Sequence, residues 1–107
     1  MRFLMFVTVD PDLVGTAPGD PEAWVAETTA KGQRIEGNRL RDVADATTLW
    51  PKDGGGTFVS DGPFAETKES ICGYDIIECA DLDEAIEVAA KHPVAKFGAI
   101  ELRPVWQ

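Results

Sequence analysis

An α+β sandwich, two helices laid on one face of an antiparallel sheet, is the fold class predicted by this sequence. Three observations carry the prediction. Segments with strand and helix patterning follow one another as strand, helix, three strands, helix, strand. Each helix is flanked by strands. The first strand is apolar on both parities, so neither of its faces suits water.

Residues 2–9 set Phe3, Met5, Val7 and Val9 on one side and Leu4 and Phe6 on the other, and Asp10-Pro11-Asp12 ends the run. A loop with Gly15, Pro18 and Gly19 leads to Asp20-Pro21-Glu22, a helix start with an acidic N-cap and proline in the first turn. That helix is predicted to run to about Gln33 or Glu36, with Val25, Thr29 and Gly32 on its packed stripe. Asn38 to Trp50 reads as a strand that buries Leu40, Ala44 and Ala46, and Pro51 to Gly56 as an exposed turn. Thr57 to Ser60 returns antiparallel. Gly73 to Cys79 is the next strand, containing Tyr74, Ile76 and Ile77.

The second helix has the clearest signals. Asp81 and Glu84 form a capping box, and Leu82, Ala85, Ile86 and Ala89 fall at i, i+3, i+4 and i+7. Lys91 and His92 complement the negative end of its dipole, and Pro93 stops it. Gly98 to Arg103 forms the last strand, with Ile100 and Leu102 at alternate positions. This order is that of a ferredoxin-like sandwich. Two helices cover only one sheet face, so the doubly apolar first strand predicts a homodimer in which a second copy closes the other face and creates a pocket.

A chain of 107 residues makes one domain, residues 1–107. Its net charge of −9 cannot track a phosphate backbone or an anionic membrane, so nucleic acid and membrane partners are not expected. Among the scattered bases, Arg34, Arg39 and Arg41 form the one local group. The opening apolar run is too short for a signal peptide, and no run approaches the ~20 apolar residues of a membrane span. Cys72 and Cys79 lie on one strand segment, at ~3.3 Å per residue roughly 23 Å apart, beyond disulfide reach. Free thiols and a cytoplasmic location are the expectation.

One segment is unusually rich in charge. Asp61-Gly62-Pro63-Phe64-Ala65-Glu66-Thr67-Lys68-Glu69 sets a turn among three carboxylates and a lysine, more than a turn requires. Asp61 is the first candidate catalytic base or acid, and Glu66, Glu69 and Lys68 are candidate ligand contacts; the alternative is that Asp61 caps the turn and the others form surface pairs. His92 is the second catalytic candidate, weighed against a helix-capping role. Arg103 either clamps a ligand anion or pairs with Glu101 or Asp75. Tyr74 and Trp24 offer ring contacts or core packing. One histidine and two distant thiols do not make a zinc shell, and no phosphate cradle is visible, so no metal and no cofactor is expected.

That segment, with Gly73-Tyr74, Asp83-Glu84-Ala85 and Ile100-Glu101-Leu102-Arg103-Pro104, resembles the signature of the DGPF subgroup of YCII-related (YciI-like) proteins. The resemblance implies a ferredoxin-like protomer dimerised as an α+β barrel. It also implies a small, anionic or aromatic ligand in a barrel pocket. Some relatives carry a His/Asp pair to which acid–base chemistry is ascribed, and one eliminates chloride from an aromatic substrate. Other DGPF proteins accompany extracytoplasmic-function sigma factors. Two readings therefore stand side by side: a cofactor-free acid–base enzyme or ligand-binding protein, and a regulatory partner of a sigma factor. This chain has no histidine in its first helix, where Trp24 and Val25 stand.

Overall fold

The computed structural model describes residues 1–13, 19–67 and 69–106. Strands β1 (Arg2–Val9), β2 (Arg34–Arg39), β5 (Ser70–Glu78) and β6 (Ala99–Pro104) form a sheet in the order β2-β5-β1-β6. All neighbours in it are antiparallel. Helices α1 (Pro21–Ala30) and α2 (Leu82–Ala90) make the crossovers, which gives the predicted ferredoxin-like sandwich. Strands β3 (Thr47–Pro51) and β4 (Thr57–Asp61) form a separate hairpin between β2 and β5.

The pleat of β1 sorts its side chains. Phe3, Met5, Val7 and Val9 are buried towards the helices, where Ile77, Trp24, Ala85, Val88 and Ala89 complete the core. Leu4 and Phe6 stand on the other face, half-buried, opposite Ile76 and Tyr74 of β5. Both parities of β1 are thus apolar, as the sequence demanded, but only one is covered by this chain's helices.

Both helices roll away from their expected stripes. In α1 the buried residues are Trp24 and Thr28, while Thr29 is exposed. The indole is the reason: Trp24 Nε1 donates to the Val88 carbonyl at 2.9 Å and binds α1 to α2, and the Thr28 hydroxyl donates to the Trp24 carbonyl at 2.7 Å. Gly32 does not pack within the helix but ends it. At φ +72° it lets Gly32 N donate to Thr29 O and Gln33 N to Thr28 O, a Schellman cap that stops α1 well before Gln33. In α2, Ala85, Val88 and Ala89 are buried, whereas Leu82 and Ile86 are about half exposed. Small side chains let this helix lie close to the sheet. The N-cap half of the capping box forms, with Glu84 N donating to Asp81 Oδ1 at 2.9 Å, while the Glu84 carboxylate accepts from Ala80 N, one residue before the cap.

The long strand expected from Asn38 to Trp50 is broken. Asp42 accepts from Ala44 N at 3.1 Å and caps a 3-10 turn over Val43–Asp45, so Leu40 and Ala44 are exposed and Ala46 half-buried. Asx capping overrides alternation here.

Candidate functional site

A cavity of about 460 Å³ lies within one chain, between the helix face of the sheet and the segments flanking the helices. The sequence predicts a pocket closed by a second copy; this one needs no second chain. Val7 and Val9 of β1, Val25 of α1, and Val94 and Phe97 beyond α2 give it an apolar wall. Against that wall stand four groups with chemistry: Arg34, Arg39, Asp75 and His92.

Asp75 comes from the buried parity of β5 and is 6% exposed. A carboxylate there needs a partner, and Arg34 Nε reaches its Oδ1 at 2.7 Å from β2. The pair has room because residue 37 has no side chain. A Cβ at Gly37 would lie 2.1 Å from Asp75 Oδ1 and 2.7 Å from Arg34 Nη2. The only signal for this requirement in the sequence is a glycine inside a strand.

His92 is likewise 6% exposed, and its role differs from the one expected. It does not place a charge at the end of α2. Its Nδ1 accepts the Val94 amide at 3.1 Å and caps the 3-10 turn Pro93–Lys96, so the ring proton resides on Nε2. The Trp24 ring packs edge-on at 4.9 Å. Burial holds the imidazole below its ordinary value of 6.5, against a smaller upward pull from Asp75. His92 is therefore a neutral N–H donor at neutral pH.

The remaining candidates lie elsewhere. Asp61 ends β4 opposite Thr47 and is exposed, as are Glu66 and Glu69; none of the three lines this cavity. No described residue of the Asp61–Glu69 segment lines this cavity, and Lys68 lies outside the described residues. What the motif does locally is close the hairpin. Gly62 adopts φ +100°, its amide donates to Ala46 O, and its carbonyl accepts from the Thr48 hydroxyl at 2.8 Å. Phe64 folds back to stack on Trp50 at 5.3 Å, and Trp50 also stacks with Phe58. Arg103 stands on the helix-free sheet face beside Leu4, 3.8 Å from Glu101, and does not pair with Asp75. Tyr74 contributes to the cavity wall, but by parity its ring stands beside Phe6 on the opposite face, where Asn38 Nδ2 donates to its hydroxyl at 3.1 Å.

Both cysteines are free, Cys79 buried and Cys72 half-buried in the cavity wall, and burial pushes both thiols up. Among the described residues no group of three or more His, Cys, Asp or Glu side chains is placed to hold a metal ion. Among the described residues no helix is long and apolar enough to cross a membrane.

With the geometry in place, three likenesses can be set beside it. The structure resembles a 5-chloro-2-hydroxyhydroquinone dehydrochlorinase from Burkholderia phenoliruptrix AC1100, solved with 2,5-dihydroxybenzoquinone, at a TM-score of 0.57 over 100% of this chain and 94% of that one. At 18% identity this is a likeness of fold. An uncharacterised protein of Rhizobium meliloti (strain 1021) is 45% identical over 69 residues, 63% of this chain, and the match spans 55% of that relative's length. The model of the YCII-related domain matches residues 1–107, and the chain belongs to that family.

Proposed function

We infer that this protein binds a small organic molecule in the sheet–helix cavity and moves a proton on it without a cofactor. The observation that carries this reading is a carboxylate and a neutral imidazole, each 6% exposed, on the wall of one apolar cavity. Their division of labour follows from their hydrogen bonds. Asp75 Oδ1 is held by Arg34, which leaves Oδ2 to accept a proton as general base. His92 Nδ1 is occupied by the Val94 amide, so its Nε2–H is an electrophilic donor for a substrate carbonyl or developing oxyanion. Asp75 takes the role first expected of Asp61. The relative of like fold, which eliminates chloride from a hydroxylated aromatic ring, supports looking first among quinones and phenols.

The same reading includes a homodimer. Leu4, Phe6, Tyr74 and Ile76 form an apolar centre on the helix-free face, with Glu101 and Arg103 at one edge. A second copy is the economical cover for it. Sedimentation at micromolar concentration should give twice the chain mass, and Phe6→Glu should shift the boundary to one.

The cavity itself is tested by thermal-shift screening of hydroxylated quinones and aromatic acids, since a ligand specific for the folded state raises its melting temperature. Binders should stabilise the wild type and not Val25→Trp, which fills the cavity. Solvent deuterium incorporation into a bound ligand should fall by roughly 10²-fold or more in Asp75→Asn and persist in Asp61→Asn. Binding that ignores the filled cavity, or exchange that depends on Asp61 and not Asp75, would sink the reading.

A further inference from the structure

Arg34, Arg39 and Arg41 are the one local group of bases in a chain of net charge −9, and the fold gives the three different fates. Arg34 is neutralised by Asp75 at 2.7 Å. Arg41 pairs with Asp45 at 3.1 Å, exposed and away from the larger cavity. Arg39 has no ion-pair partner among the described residues, although it is the member placed on the walls of both cavities. It belongs to the parity of β2 that faces the helices, opposite Gly73, and its charge is felt by the Cys72 thiol, which lines the same two cavities.

Charge can then be counted within the larger cavity. Asp75 and Arg34 cancel, His92 is neutral, and Arg39 leaves one positive charge beside an apolar wall. Asp42, the carboxylate on the adjoining smaller cavity, accepts the Ala44 amide at 3.1 Å and makes no ion pair with Arg39 among the described residues. We propose that Arg39 is the anion-recognition group of this cavity and that its ligand is a monoanionic organic acid with an apolar body. A guanidinium offers a planar fork that takes a carboxylate through two parallel hydrogen bonds, a match that a single lysine or a neutral amide cannot reproduce. The apolar body packs on Val9, Val25, Val94 and Phe97. A volume near 460 Å³ lies towards the small end of the ~300–1,000 Å³ range of ligand pockets, which suits one or two rings. This inference rests on the reading of the cavity as the binding site and adds the class of molecule it selects. An exposed positive group on the cavity wall also matters for access, because the net charge of −9 repels anions and local attraction must guide them in.

Benzoate and its neutral isostere benzamide are the probes, titrated calorimetrically into the wild type, Arg39→Gln, Arg39→Lys and the cavity-filled Val25→Trp. The expected result is binding of benzoate at least ten-fold tighter than benzamide. Arg39→Gln should lose about ten- to a hundred-fold in benzoate affinity, as expected for a charge-assisted pair, while benzamide is unchanged. Arg39→Lys should recover only part of that loss. Melting temperatures without ligand should match, because Arg39 is exposed and supports no ion pair among the described residues. Equal affinity for the two probes, or benzoate binding undiminished by Arg39→Gln, overturns the inference and leaves the cavity reading intact. Failure of both probes to bind the wild type, or binding unaltered in Val25→Trp, overturns both.

Discussion

The cavity and the β3–β4 hairpin divide this molecule into a region that is quiet in sequence and rich in chemistry, and one that is the reverse. The hairpin and its Asp61–Glu69 extension carry the densest motif in the chain, yet Asp61, Glu66 and Glu69 are exposed. The motif's demonstrable work is conformational, through a positive-φ glycine and an aromatic stack. The cavity draws Arg34 and Arg39 from β2, Asp75 from β5 and His92 from the turn after α2, and no two of these four are adjacent in sequence. A string of charges is easy to see in sequence. A buried pair is more consequential, because low-dielectric surroundings raise the cost of disturbing it.

That contrast can be broken by substitution, and the largest effect should come from the cavity. Asp75→Ala leaves the partly buried Arg34 guanidinium without its partner and should cost up to about 3–5 kcal/mol in urea unfolding. Replacing both, Arg34→Met with Asp75→Leu, should cost far less while abolishing proton transfer. If the double substitution is as damaging as the single one, the pair is not what Asp75 contributes. Gly62→Ala comes next. It forces a side chain into φ +100° and should cost about 1–2 kcal/mol, the largest penalty available in the motif. Phe64→Ala removes a stacked ring that is 76% exposed and should cost about 0.5–1.5 kcal/mol, leaving ligand affinity alone.

His92 sharpens the contrast through pH. Its imidazole is held below 6.5 by burial, so between that value and its lowered one the unfolded chain binds more protons than the folded chain. Its contribution to stability is complete above about pH 6.5 and is lost as pH falls through the lowered value. His92→Gln should flatten that part of the urea-midpoint profile relative to the wild type. A wild-type profile indistinguishable from the variant's would contradict the buried, neutral assignment. Smallest of all, Asp61→Asn should change stability by less than about 0.5 kcal/mol, because the side chain is exposed.

Much of the fold was legible because it rests on patterns of short range. The doubly apolar β1, the capping box of α2 and the alternation of Ile100 and Leu102 each report one element, and their order yields the sandwich. Errors arose where a tertiary contact outweighed local pattern. Trp24 rotates α1 by hydrogen-bonding Val88, a partner 64 residues away. Ala85, Val88 and Ala89 set the face of α2 through close approach, and the larger Leu82 and Ile86 stay outside. The site was less legible for the same reason. Nothing near Asp75 in sequence marks it, since its partner Arg34 is 41 residues away and the glycine that admits the pair lies on another strand. His92 was identified as a candidate, but its tautomer depends on an amide that only the turn at Pro93 presents.

Ligand recognition is proposed for the sheet–helix cavity, and the motif hairpin has a conformational task. Amide chemical-shift mapping during a titration with benzoate tests that division most directly. The predicted result is perturbation of Val9, Val25, Cys72 and Val94, with residues 61–67 unmoved. Shifts concentrated at residues 61–67 while the cavity amides stay in place would contradict it.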